Sequence, residues 1–409
     1  MHAAVMTYLL DWFGLLLRWL HLVAGIAWIG ASFYFVWLDN HLQPPGSDGR
    51  DDPDVAGELW AVHGGGFYRS QKYRLAPARL PATLHWFYWE AYTTWLSGFV
   101  LLCLLYFLRA EAYLIDPSVA LLSKPTAIII ALAFVIASWL IYDALCRSGL
   151  GQRTVALSVT LGLLFSAEAW GLCQLFSGRG AFMLFGSALG TIMVANVLFV
   201  IIPGQRELVH AKQQGRELDP APGRRGKQRS VHNTYLTLPV LFVMISNHYA
   251  MTYGARYNWL VLIAMSVAGI CIRAWFVRRH RPSGRTGLVP ALPALLAALT
   301  LAAIVIALAP SRGRGAADAG RLARADELAQ AQRIVGQRCA PCHAAKPTQA
   351  GFAAAPNGLM LENIDQIRSH LPEVQQQLLT HAMPLGNLTG MTPDERARLL
   401  SWLAQLATQ

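Results

Sequence analysis

Charge is scarce in this chain: Asp, Glu, Lys and Arg make up only 14% of its 409 residues. Hydrophobic residues make up 54%, and the mean hydropathy is +0.36. That balance excludes an ordinary soluble protein of this length and points to a membrane class. Acidic residues are the scarcer charged kind, 23 against 34 Lys and Arg, for a net charge of +11. Cysteines number six, and Cys103, Cys146, Cys173 and Cys271 lie in apolar runs, where a free thiol behaves as a small hydrophobe. No Lys or Arg precedes the first apolar run, so no cleaved leader is expected and the first span reads as a retained helix. The internal repeat that a transporter built from inverted halves would show is missing too, and Pro203 and Pro239 fall near the ends of apolar runs.

What the chain has instead is a series of apolar segments long enough to cross about 30 Å of hydrocarbon. They fall at about 8–38, 86–108, 125–146, 153–176, 181–203, 234–251, 257–277 and 288–309. An all-α fold is therefore expected, a polytopic bundle of about eight spans over 1–309. Positive charge is concentrated in alternate connections. Arg69, Lys72 and Arg74 lie in the first, Arg147 and Arg153 in the third, Lys212, Arg225 and Arg229 in the fifth, and Arg278 and Arg285 in the seventh. The other connections hold only Arg109, Lys124, Arg179 and Arg256. By the positive-inside rule the basic connections are cytoplasmic and both termini lie outside. The basic pI thus reports topology, and no nucleic-acid partner is expected. In the first connection, an acidic patch (Asp48, Asp51, Asp52, Asp54, Glu58) precedes His63-Gly64-Gly65-Gly66. With no G-x-G-x-x-G after a strand, the glycines read as a tight turn before an interfacial helix.

The most specific local signal is Cys339-Ala340-Pro341-Cys342-His343, a C-x-x-C-H run. Its spacing suits covalent haem c, with thioethers from Cys339 and Cys342 and the His343 imidazole as fifth iron ligand. A zinc site would need a second ligand pair, and a dithiol redox motif needs no following His. Met383, fixed by Pro384, is the favoured sixth ligand. Met360, Met391, His370 and His381 are the alternatives. Haem c is loaded outside the bacterial cytoplasm, which places this end in the periplasm independently of the charge argument. Residues 310–325 read as a linker on which the C-terminal unit swings, and 326–409 as a class I-like cytochrome c domain. A helix over about 325–337 opens it. Thr392-Pro393-Asp394-Glu395 caps a closing helix whose apolar face is Leu399, Leu400, Leu403 and Leu406.

Ionisable groups inside spans are functional hypotheses by default. His21 sits in the first span, and His85 and Glu90 bracket an aromatic run in the second. Asp143 and Glu168 follow, and the sixth span runs from His232-Asn233 to Asn247-His248. General acid–base chemistry on a small polar substrate, or axial ligation of a second, b-type haem, would use such groups. With a haem outside, the reaction site lies in the outer half near His21 and His248, or an intramembrane relay exists.

The stretches Trp19–Asn40, His63–Trp95 and Ser230–Tyr249 (SVHNTYLTLPVLFVMISNHY) resemble the bacterial membrane-integral urate oxidases, or urate hydroxylases, that end in a cytochrome c domain. The resemblance covers essentially the whole chain. It implies oxidation of urate to 5-hydroxyisourate, with electrons leaving through the fused haem c to a downstream cytochrome c or terminal oxidase of the inner membrane and no peroxide formed. The first span also resembles that of membrane protoporphyrinogen oxidases, in which a His binds haem b, and this implies the same role for His21. Catalytic work is expected from His21, His85, Glu90, His232, Asn247 and His248, without individual roles. The alternative is a membrane dehydrogenase for quinol or a porphyrinogen, whose site would be a lipid-open apolar cleft.

Overall fold

The computed structural model describes residues 2–45, 54–279, 288–309, 324–350, 352 and 354–406. The expected Asp48, Asp51 and Asp52 of the acidic patch, and 310–323 of the expected linker, lie outside the described residues. Helices dominate. In chain order they are α1 (His2–His41), α2 (Trp89–Leu102), α3 (Ala110–Tyr113), α4 (Lys124–Arg147), α5 (Thr154–Leu175), α6 (Gly178–Asn196), α7 (Ile202–Gln213) and α8 (Ala221–Ser246). They continue with α9 (Ala250–Tyr253), α10 (Asn258–Arg278) and α11 (Leu288–Ala307). The C-terminal part holds α12 (Arg324–Arg338), α13 (Ala340–His343), α14 (Ile364–Ser369), α15 (Leu371–Leu379) and α16 (Pro393–Leu406).

Among the described residues, six segments are long and apolar enough to cross a membrane: Tyr8–His41, Trp89–Phe107, Lys124–Arg147, Thr154–Leu175, Gly178–Gln213 and Asn258–Arg278. The other two expected spans fall short of that measure. In α8 the first half is basic, and the helix stops at Ser246 before the expected end. The apolar stretch of α11, Ala291–Ala307, is shorter than the others. Nor do the prolines end the helices. Pro239 lies inside α8. Pro203 opens α7 just after a wider π-helical turn, Val197–Ile201, so one helical path runs from Gly178 to Gln213. A π turn at such a point absorbs the missing N–H by local widening.

The centre of the bundle is α6, packed by α4, α5 and α8. Small residues let the backbones close up, as membrane helices require. A Cβ at Gly186 would come 2.6 Å from Val243 Cγ1 of α8. Ser177 caps α6 by accepting the Gly180 N–H, and Ser123 caps α4 through the Thr126 N–H.

The first connection departs from expectation. The tight turn is there, but the interfacial helix is not: β1 (Val55–His63) and β2 (Gly66–Tyr73) form an antiparallel hairpin instead. Gly64 and Gly65 both have positive φ, 58° and 80°, the geometry of a two-residue turn whose twist suits paired strands. That turn puts the following residues in register with β1, and pairing wins over helix formation. Glu58 is buried in the hairpin and receives the Arg69 guanidinium at 2.5 Å.

The C-terminal part has its own core, in which Ala331, Ile334 and Val335 of α12 meet Leu399, Trp402 and Leu403 of α16. The expected caps form: the Glu395 N–H donates to Thr392 Oγ1 and the Thr392 N–H to Glu395 Oε2. The helical layer therefore has two ends. One carries the hairpin and the starts of α2 and α8. The other carries α3, α9 and the C-terminal part, whose Thr380 and Gly386 pack against Gly254 and against Glu111 and Ala112.

Candidate functional site

The main cavity, about 610 Å³, opens toward the hairpin end. It is bounded by α1, the segment Leu75–Phe87, the start of α2, the Met193–Val209 stretch and α8. Trp28, Phe35, Trp86 and Phe87 give it flat apolar walls, and Asp39, His85, Glu90, Gln205, Lys227 and Asn233 bring polar groups. Its volume lies in the range of small-molecule sites, about 300–1,000 Å³. His85 stands edge-on to Phe87, centroids 4.6 Å apart, and Phe87 edge-on to Phe35. At the mouth, Asp39 receives Lys72 at 2.6 Å and Lys227 at 3.9 Å. These pairs tie the hairpin and α8 to the end of α1.

A chain of hydrogen bonds leads from this cavity into the bundle. Asn233 donates to the Met193 carbonyl at 2.9 Å and accepts from Asn196 Nδ2 at 2.9 Å. Asn196 also donates to the Tyr142 oxygen at 3.0 Å. The phenol proton is left for His232 Nδ1, 2.8 Å away, which assigns His232 the Nε2–H tautomer. Arg229, only 3% exposed, stacks on the Tyr142 ring and donates to Asp143 Oδ1 at 2.7 Å. The sequence treats Arg229 as a loop charge. In the fold it is the buried counter-ion of Asp143.

The six expected catalytic residues do not form one site. His85 and Glu90 line the cavity, and His232 joins it through Tyr142, Asn196 and Asn233. His21 lies seven residues before Trp28 on α1, about 10 Å toward the other end at 1.5 Å per residue. Its Nδ1–H donates to the Thr94 carbonyl at 2.9 Å, with Ser97 Oγ at 3.1 Å, leaving Nε2 free. Its ring lies against Gly98, where a Cβ would come 2.8 Å from His21 Cε1. Asn247 sits at the far end of α8, its Oδ1 accepting from Tyr106 and from Arg179 Nε, each at 2.9 Å. His248 is exposed beside it.

In the C-terminal part, Cys339 and Cys342 are free thiols, the first one helical turn before His343 and the second directly before it. The His343 Nδ1–H donates to the Leu359 carbonyl at 2.9 Å, so Nε2 is the nitrogen left for a metal. Arg396, 8% exposed, donates to the carbonyls of Leu378 and Met383 at 2.9 and 2.7 Å and fixes the Met383 loop. Met391 is buried in the hydrophobic core at 4% exposure, a packing position. Thiols, imidazole and clamped thioether segment thus fit a covalent haem by donor chemistry. Among the described residues no group of three or more His, Cys, Asp or Glu gathers into a metal site.

Sequence reasoning missed Asp39, Tyr142, Asn196, Tyr106 and Arg179. Asn196 carried a signal, an amide inside an apolar run. Arg179 and Arg229 carried none, because a charge at a span end reads as a loop charge.

A family model described as Urate oxidase N-terminal matches residues 7–308. That stretch contains the cavity, its polar lining and the hydrogen-bond chain, and it ends before the C-x-x-C-H run. No curated protein and no solved structure matches the chain.

Proposed function

Because the chain belongs to this urate oxidase family, we propose that it binds urate in the 610 Å³ cavity and oxidises it to 5-hydroxyisourate from within a bacterial inner membrane. The reaction takes urate and one water and releases two electrons and two protons. Urate is planar, anionic and rich in carbonyl and N–H edges. The flat walls formed by Trp86, Phe87 and Trp28 suit its faces. Lys227, Gln205 and Asn233 offer donors for its oxygens, with Asn233 held in place by Met193 and Asn196. Asp39 is taken up by Lys72 and Lys227, and Glu90 and His85 are further groups at the cavity able to take protons. His232, behind Tyr142, is a further acceptor reached through the hydrogen-bond chain.

On this reading all eight apolar helices cross the membrane, over a domain of residues 1–309. The hairpin end faces the cytoplasm, and both termini face the periplasm. Residues 326–409 form a class I-like cytochrome c domain. Cys339, Cys342, His343 and Met383 would hold haem c, which would supply a one-electron sink in place of oxygen. The route from cavity to sink passes the level of His21. Its free Nε2 would hold a b-type haem, and from Thr237 to Asn247 the rise along α8 is only about 15 Å. A one-electron acceptor of the respiratory chain then takes the electrons.

The observation that carries this reading is the cavity itself, flat-walled and apolar with a set of polar groups at purine scale, inside the matched domain. A lipid-open apolar cleft, as a quinol or porphyrinogen enzyme requires, would not place Glu90, His85, Lys227 and Asn233 on one wall system. The test is aerobic turnover of the purified full-length protein with an added one-electron acceptor. Urate loss should match 5-hydroxyisourate formation with no peroxide. Peroxide equimolar with urate consumed would contradict the proposal, as would no urate consumption at all.

A further inference from the structure

Among the described residues, the C-terminal part meets the helical layer at the segment bearing Met383. Thr380 lies against Gly254, just after α9: a Cβ at Gly254 would land on the Thr380 carbonyl oxygen. Six residues later, Gly386 lies against α3, where a Cβ would come 2.8 Å from the carbonyl oxygens of both Glu111 and Ala112. Gly386 has φ +55°, so glycine there serves both the turn and the close approach. Charge adds to shape. Asp116, in the connection after α3, lies within electrostatic reach of His381 and Arg396. Arg396 in turn clamps the Leu378 and Met383 carbonyls. Directly behind the contact stands the Tyr106–Asn247–Arg179 cluster, with Arg179 over the Tyr113 ring of α3.

We propose that the segment Thr380–Asn387 is a docking surface that holds the C-terminal part on the outer ends of α3 and α9, with the Met383 side turned inward. Gly254, Gly386 and Asp116 are its determinants. Backbone meets backbone at both glycines, and contacts of that kind tolerate no added side chain. The C-terminal part is then a seated domain and not a swinging one, and its inward side is the side that must exchange electrons with the membrane part. This functional consequence rests on the haem c reading above. The docking surface does not.

Two substitutions test it from opposite chemistries: Gly254→Val, which fills the contact, and Asp116→Lys, which reverses its charge. Both are made in the full-length protein. Neither residue lies in the cavity or in the C-terminal core. Hydrogen exchange of the amides of 378–390 is read first, because it needs neither substrate nor haem chemistry. Exchange there should rise at least tenfold in both variants while α16 and α6 stay protected. Haem reduction is then followed with urate and, separately, with ascorbate. Urate-driven reduction should fall at least tenfold, with ascorbate-driven reduction unchanged or faster. Unchanged exchange in both variants overturns the docking surface. Raised exchange with unchanged urate-driven reduction overturns its role in electron exchange. If urate fails to reduce the haem in the unsubstituted protein, the urate reading fails while the exchange comparison still decides the docking.

Discussion

At the residue scale, Glu90 and the Arg338–Glu395 pair give the sharpest expectations. If Glu90 takes a proton from bound urate, Glu90→Gln keeps the shape and removes the base. kcat/KM for urate should then fall by about 10²–10⁴-fold, the usual worth of a positioned base. The C-terminal haem spectrum should not change, and steady-state kinetics beside a spectrum checks both. In the C-terminal part, Arg338 donates to both Glu395 oxygens, at 2.9–3.2 Å. This hydrogen bonding holds the Glu395 carboxyl below its ordinary value of 4.5. A folded-state value below the unfolded one stabilises the fold above the ordinary carboxylate range, and that contribution is lost as pH falls through the lowered value. Thermal unfolding of Arg338→Met beside the parent protein should show a Tm deficit at pH 7 that closes as the pH falls well below 4.5. A deficit independent of pH would mean that Arg338 acts through packing and its bond to the Thr389 carbonyl, and not through Glu395.

At the element scale, the hairpin rests on its turn. Gly65→Val places a β-branched residue at φ +80° and should weaken the hairpin by about 1–2 kcal/mol or more, seen as faster hydrogen exchange in β1 and β2. This element also shows where sequence reading stops. The helices were legible because apolar runs of twenty or more residues admit one structure in a bilayer. So was the closing helix, because Thr392 and Glu395 cap it locally and Leu399 and Leu403 repeat at helical spacing. The hairpin was not: Gly64-Gly65 announced a turn, but the residues after it carry little alternation, and pairing with β1 is non-local. Likewise the cavity gathers residues from α1, α2, α7 and α8 that sequence distance separates. His85, Glu90 and Asn233 were legible as polar residues in apolar surroundings. That His85 and Glu90 share one wall system with Asn233, while Asn247 and His248 stand some 20 Å along α8, could be known only from the fold.

At the scale of the whole molecule, the proposed membrane placement puts the two ends of the helical layer in different compartments. Single cysteines placed at Ser118, beside α3, and at Lys212, near the end of α7, separate them. A membrane-impermeant thiol reagent added to intact spheroplasts should label the first and not the second, and the reverse would invert the topology. The same asymmetry shapes the chemistry. The cavity lies toward the hairpin end and the C-x-x-C-H unit beyond the other, so on the proposed function turnover requires electrons to move through the bundle. The most direct test is a reduced-minus-oxidised spectrum of the purified protein under anaerobic conditions, with urate as the only reductant. The account predicts that urate reduces the c-type haem, with an added b-type band if His21 holds a second haem. A haem that stays oxidised with urate, yet is reduced by dithionite, would contradict it.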